Sequence, residues 1–345
     1  MLYKLDWEET TARFTDWWNH KAEEAIIQVT APKEGGNPTW FDGWGFASRK
    51  QPTEELLADI ARWAANMRFA GESYPNCWLN LGPGCLAAYY SGYLHFDERG
   101  NTVWFEESRE WEEVAKLAFQ PEGEWYQYTL DIARKASVAG EGRFVVGNTD
   151  IGGILDVLAS FRGTQDLLMD LVLEPERIHA WIPELEASWW RVYSEIDAII
   201  AERQQGTSAW MGLWCPGRWY PLQCDFCAMI SPAQFDEFVA PSLARQCAQL
   251  DYPVYHWDGP GQLAFLDSLL AIDELDAIQW VPGDGNPMCE AEQWYPMYRR
   301  ILEAGKGLIL QCWSDRDAVR KVLKNLPREG VLISTWAASE AEANE

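Results

Sequence analysis

Residues 252–285 read YPVYHWDGPGQLAFLDSLLAIDELDAIQWVPGDG. Residues 253–256 predict a short buried strand, with His256, Asp258 and Gly259 at its C-terminal end. Residues 262–270 carry apolar side chains at helical spacing, residues 277–281 form the next strand, and 282–285 form a loop. This β-loop-α-β unit gathers its polar residues where strands end, which is where parallel α/β folds place their chemistry.

The same alternation recurs outward from this unit. Strands are predicted over 25–30, 77–81, 144–147, 208–214, 253–256, 277–281, 307–311 and 331–335. Helices are predicted over 8–19, 53–69, 85–90, 111–119, 125–139, 154–161, 177–203, 232–250, 290–304 and 315–326. Ala31-Pro32 is expected to stop the first strand. Residues 93–96 and 102–106 read as a hairpin. The loop 34–51 carries Trp40, Phe41, Trp44 and Phe46 among glycines. Loops lie on surfaces, so a lid or a subunit contact is expected there. Eight strands alternating with helices predict an α/β chain with one domain over 1–345. The expected fold is a single (β/α)8 TIM barrel with N-terminal additions and an insertion after the second strand. A doubly wound open sheet is the alternative.

A chain of 345 residues suits one such barrel and buries a core that needs no disulfides. The eight cysteines are scattered, the N-terminus lacks a signal-peptide pattern, and no apolar run reaches the roughly 18 residues of a membrane span. The expectation is a cytoplasmic protein with free thiols and no membrane partner. A net charge of −25 with no basic cluster also argues against a nucleic-acid partner. The 21 tryptophans are unusual. They serve either a Trp-rich core and homodimer interface, or a pocket walled with indole for a flat or sugar-like small-molecule substrate. Trp44, Trp214, Trp280 and Trp336 are the candidates for substrate contact.

His256 and Asp258 are one residue apart on an extended segment, so their side chains face the same way. Asp258 either orients His256, shares a metal with it, or acts as a base. The structural alternative is a histidine bonded to a backbone carbonyl beside a helix-capping aspartate. His256 is the one histidine at a predicted strand end, which excludes a His-rich metal site. Cys312 ends the seventh predicted strand, and with His256 and Asp258 it would make a three-ligand zinc site with an open position. A cysteine ending a buried strand is otherwise a small hydrophobe. Asp225 sits inside an aromatic loop between Cys224 and Cys227, a setting that perturbs a carboxylate pKa. The CxxC formed by those cysteines has no second copy, so a four-cysteine site is excluded. Asp150 ends the third strand, and Gly152-Gly153 leave the next helix N-terminus open to an anion or a hydrogen-bonding group. Dinucleotide, P-loop, GxSxG and HExxH patterns are absent.

At these residues the chain resembles the uroporphyrinogen decarboxylase superfamily, which includes the decarboxylase itself and cobamide-linked methyltransferases. The similarity spans roughly residues 79–336. It is carried by LQCDFCAMISPAQFDEFVAP (222–241), by TDIGGILDVLASFRG (149–163), by Asp170-Leu-x-x-x-Pro175-Glu176, and by 255–269 and 278–281. The resemblance implies a (β/α)8 barrel with a ligand cleft at the C-terminal ends of its strands. The decarboxylase binds acidic substrate arms with an Arg-rich N-terminal motif, where this chain offers Arg49 and Lys50. It also places an aspartate after an early strand, where this chain has Asn80-Leu81-Gly82-Pro83. The methyltransferase branch has a zinc motif, His-x-Cys with a later Cys; this chain has His256-Trp257-Asp258 and Cys312. The leading expectation is therefore a methyltransferase-like enzyme. It would move a methyl group between a small substrate or a corrinoid protein and a thiol or folate-type carrier, with zinc at His256, Asp258 and Cys312. His256, Asp258 and Asp225 would be catalytic, and Asp150 would orient substrate. The alternatives are a decarboxylase-type lyase, a carbohydrate-active barrel with paired carboxylates such as Asp225 and Asp258, and a non-catalytic binding barrel.

Overall fold

The computed structural model describes residues 1–105, 108–313 and 316–345. Its strands are β1 (Ile26–Pro32), β2 (Met67–Gly71), β3 (Asn76–Trp78), β4 (His95–Asp97), β5 (Thr102–Trp104), β6 (Val145–Gly147), β7 (Trp219–Leu222), β8 (Tyr252–Asp258), β9 (Ala277–Val281), β10 (Gly307–Cys312) and β11 (Val331–Trp336). Seven of them form one sheet in the order β2-β1-β11-β10-β9-β8-β7. Every ladder in it is parallel except β1 with β2. A separate parallel pair joins β3 to β6, and β4 with β5 is an antiparallel hairpin. The architecture is an α/β fold with a mostly parallel central sheet.

A continuous eight-stranded ladder is not present among the described residues, and two local causes account for the breaks. Residues 67–69 were expected to continue a helix, but that helix, Thr53–Ala65, ends at Asn66. Met67 and Phe69 then alternate into a small apolar cluster, the period of a strand. The resulting β2 occupies the edge of β1, and pairing Pro32 with Met67 carries β1 past its expected stop. At the other break, the Gln204 side-chain amide stands in for a neighbouring strand. Its Oε1 accepts from the Val146 N–H at 2.8 Å, and its Nε2 donates to the Val146 carbonyl at 3.0 Å.

The expected strand over 208–214 is irregular chain. Its backbone is held by side chains of the strands around it: Gln28 donates to Gly212 O at 3.0 Å and Asn76 to Ala209 O at 3.1 Å. The strand belongs at β7 instead, where all four residues are buried. The helix expected over 232–250 is interrupted by a π-turn at Phe235–Val239, next to Pro241, which has no N–H to offer the preceding turn. The helix expected over 111–119 shrinks to Trp111–Val114, and Thr164–Leu173 is a helix that the apolar pattern did not reveal. Glu106 and Asp315, which the expected hairpin and helix included, lie outside the described residues.

The faces of the sheet divide the core. Tyr255, Trp257, Ile278, Trp280, Leu308, Leu310 and Cys312 point into the main cluster beneath the helices. Their neighbours Val254, Ala277, Ile309 and Leu332 point the other way, onto Phe14, Trp17 and Trp18 of the helix Trp7–Trp18. This alternation places His256 and Asp258 on the face opposite Tyr255 and Trp257. At the sheet's edge, Lys4 is 2 % exposed, and its ammonium donates to the carbonyls of Phe69 and Gly71 at 3.3 and 2.5 Å. No described helix is long and apolar enough to cross a membrane.

Candidate active site at the strand ends

The parallel strands deliver their C-terminal ends to one side of the sheet. Asp150 follows β6, Asp225 follows β7, and Asp258 is the last residue of β8. One ligand atom from each of Asp225, His256 and Asp258 lies within 4.8 Å of the other two, an arrangement with the residue types of a metal centre. His256 and Asp258 are half-buried, and Asp225 is exposed on one side.

His256 is held from two directions. Gln279 is its register partner on β9 and lies on the same face of the sheet. The Gln279 Oε1 sits 2.6 Å from His256 Nδ1. A carbonyl oxygen only accepts, so Nδ1 is the donor of this pair, and Nε2 is the nitrogen that Gln279 does not use. The Trp210 ring meets the imidazole edge-on, with centroids 4.9 Å apart. The bland reading, a histidine satisfied by a backbone carbonyl, is not what the structure shows: its partner is a fully buried side-chain amide.

Asp225 opens a short 3-10 turn, Asp225–Met229, anchored by Asp156. Asp156 accepts from the backbone N–H of Asp225 at 3.1 Å and of Phe226 at 2.7 Å. Burial raises the Asp225 carboxyl above the usual range; the His256 ring partly offsets this, and Asp258 adds to it. Burial and the nearby Asp225 raise Asp156 too. Asp150 is 5 % exposed and is pushed up to about 8, first by burial and then by Asp225. No described Lys or Arg forms an ion pair with Asp150, Asp156, Asp225 or Asp258. The region is acidic and uncompensated, so the helix N-terminus after Gly153 is a poor place for an anion. The two glycines serve packing instead: Gly152 has φ +93°, and a Cβ there would stand 2.5 Å from Gly84 Cα.

Asp150 yields a pH prediction. Its unfolded pKa is about 3.9, below the folded value. Both states hold the proton at acid pH. As pH rises the unfolded carboxyl ionises first, so stability falls from about pH 4 and the loss is complete above about pH 8. Asp150→Asn removes this dependence. Melting in chelator at pH 5 and pH 8.5 should show the variant gaining on the wild type at the higher pH, by about 1–3 kcal/mol. An unchanged difference between the two pH values would show that Asp150 is ionised in the folded protein.

Other residues proposed from sequence are placed elsewhere. Cys312 is fully buried on the helix side of β10, its Sγ 3.3 Å from Cys289 Sγ, so it does not join His256 and Asp258. The side-chain alternation of β10 decides this: Gln311, not Cys312, shares the face of His256. Trp280 is fully buried against Trp257 and Trp294, with centroids 4.8 and 5.0 Å apart, and walls no cleft. Trp214 packs with Trp7 and Phe14 in the cluster that holds the first residues of β1, β6, β7 and β9, at the end opposite Asp258. Trp336 ends β11 and meets Trp40, which is 61 % exposed. Trp44 is half-buried against Phe96 of the hairpin. Phe46 is core, because Gly45–Ser48 forms a helical turn that directs it inward. Cys224 and Cys227 are buried, and the Cys224 thiol is raised by its bond to Cys227 and by burial, the environment of structural thiols. Gln279, Trp210 and Asp156 were missed from sequence. Gln279 carried a signal: it is the one amide in an otherwise apolar strand, Ala277–Val281.

No protein-family model matches this chain, and no curated protein matches it in sequence. Among solved structures, a methyltransferase from Methanosarcina mazei is similar in fold, with a TM-score of 0.63 at 9 % identity. The superposition covers 96 % of this chain and 94 % of that one.

Proposed function

We propose that this chain is a methyltransferase-like enzyme of the uroporphyrinogen decarboxylase superfamily, with its reactive centre at Asp225, His256 and Asp258. The observation that carries the reading is the convergence of those three groups at the C-terminal ends of parallel strands. The fold it shares with a methyltransferase over nearly the whole length of both chains supports it. The methyl group moves from a corrinoid protein or a small methylated substrate to a thiol or folate-type acceptor. The donor's bond to the methyl group breaks, leaving its electron pair on the donor, as the acceptor forms its new S–CH3 or N–CH3 bond. The acceptor gives up its proton to a free member of the Asp225, His256 and Asp258 cluster or, where these hold an ion, to solvent. The imidazole and two carboxylates also fit a divalent ion, which would lower the pKa of a bound thiol. Met229, Met288 and Trp313 are exposed and follow β7, β9 and β10 at this same end, as suits a donor carried on a larger partner.

The test is methyl transfer from a methylated corrinoid protein, and from free methylcobalamin, to a thiol and to tetrahydrofolate. Transfer to one acceptor is expected, with the Asp225→Asn rate about 10²-fold lower. A folded, metal-supplemented protein that moves no methyl group between any of these pairs would overturn the assignment.

A further inference from the structure

The resemblance in sequence points to a zinc site that includes a cysteine thiolate. The residues present do not build one. Cys312 faces the helix layer as a free thiol, and its hydrogen-bonding contact with the Cys289 thiol together with burial holds it far above the range in which it ionises. We infer that the site is instead a divalent-cation site of oxygen and nitrogen donors only. Asp225, His256 and Asp258 are its ligands, and Gln279 meets an oxygen on the ion. The inference rests on the reading of Asp225, His256 and Asp258 as the reactive centre.

Two observations besides the acidic cluster point to a ligand. Gln279 is 0 % exposed; its Oε1 is used by His256, and its Nε2 has no partner. A fully buried amide N–H left without a partner costs about 1–3 kcal/mol, which an oxygen acceptor placed beside it would recover. The Trp210 indole N–H, on the ring that packs against His256, is also unpartnered. Both are donors. The matching group is an oxygen acceptor beside His256, such as a water, hydroxide or carboxylate on a bound cation. The Gln279 contact to Nδ1 also leaves His256 Nε2 as the free nitrogen, the outer-shell arrangement that metal-binding histidines require.

Donor chemistry sets the class of ion. Two carboxylates and one imidazole, with positions left open, favour a divalent ion such as manganese, iron or cobalt over zinc of the thiolate type. Such an ion would also offset the negative charge that no lysine or arginine offsets here.

The test reads binding, not turnover. Chelator-treated protein is titrated with Co2+ and followed by its electronic spectrum, and with Mn2+ followed by paramagnetic resonance. One ion per chain is expected, with visible cobalt bands and no near-ultraviolet sulfur charge-transfer band. Cys312→Ser should bind as the wild type does. Asp225→Asn should weaken binding by at least about tenfold, and Gln279→Ala by roughly 10–100-fold. Gln279→Glu, which keeps an acceptor for Nδ1, should recover part of the loss. Melting curves of the metal-free variants confirm that each is folded. A sulfur band that disappears in Cys312→Ser would overturn the inference, as would Co2+ or Mn2+ affinity unchanged in Asp225→Asn, or no binding at all. Methyl transfer by a protein that binds no ion would sink this inference and leave the proposed function standing. Ion binding without methyl transfer would do the reverse.

Discussion

Replacing His256 by alanine should reduce turnover by about 10²-fold or more, while the protein still melts cooperatively. The size follows from what the ring does. One ring nitrogen lies within 4.8 Å of carboxylate oxygens of both Asp225 and Asp258, and a positioned acid or base contributes about 10²–10⁴-fold. Its removal also leaves both ends of the buried Gln279 amide unpaired, which costs about 1–3 kcal/mol of stability. His256→Asn separates the two effects. The asparagine amide can still donate toward Gln279, so most of the stability should return while activity does not. Steady-state kinetics beside thermal melts decides the matter. Wild-type turnover in His256→Asn would mean that the ring only fills space and satisfies Gln279.

Trp280→Ala should have the largest effect on stability, about 3–5 kcal/mol. The indole is fully buried between Trp257 and Trp294, in the layer between β9 and the helices. Deleting it leaves a void that neighbouring aromatic rings, large and stiff, cannot fill. Trp280→Phe should cost much less, because the indole N–H makes no hydrogen bond to lose. Denaturant melts of both variants check this. If the alanine variant instead melted normally and bound substrate poorly, Trp280 would be a cleft residue after all.

What the sequence disclosed and what it hid follow from the range of each signal. Periodicity is local, so β8, β9, β10 and β11 were legible within a residue or two, as was the placing of His256 and Asp258 on one face. Cys312 shows the limit. Its position at a strand end was readable, but its facing depends on register, and one residue in either direction exchanges the two sides of a sheet. Asp225 was identified as an unusual carboxylate from its aromatic surroundings, yet its approach to His256 is a contact across 31 positions that no spacing rule encodes. The misplaced strand at 208–214 has a similar cause. That stretch is apolar because it lies inside the molecule, and its backbone is satisfied by Gln28 and Asn76, which are distant in sequence.

Lys4 bears on how the molecule avoids its own kind. A sheet that ends on an antiparallel strand offers a template for another chain, and exposed edges of that sort seed aggregation. Here the buried ammonium already occupies the carbonyls of Phe69 and Gly71. An invading strand would have to displace a charge that burial makes costly to strand without partners. The first few residues of the chain thus act as a gatekeeper for a strand more than sixty positions away, and trimming them should show as light scattering on storage before it shows in activity.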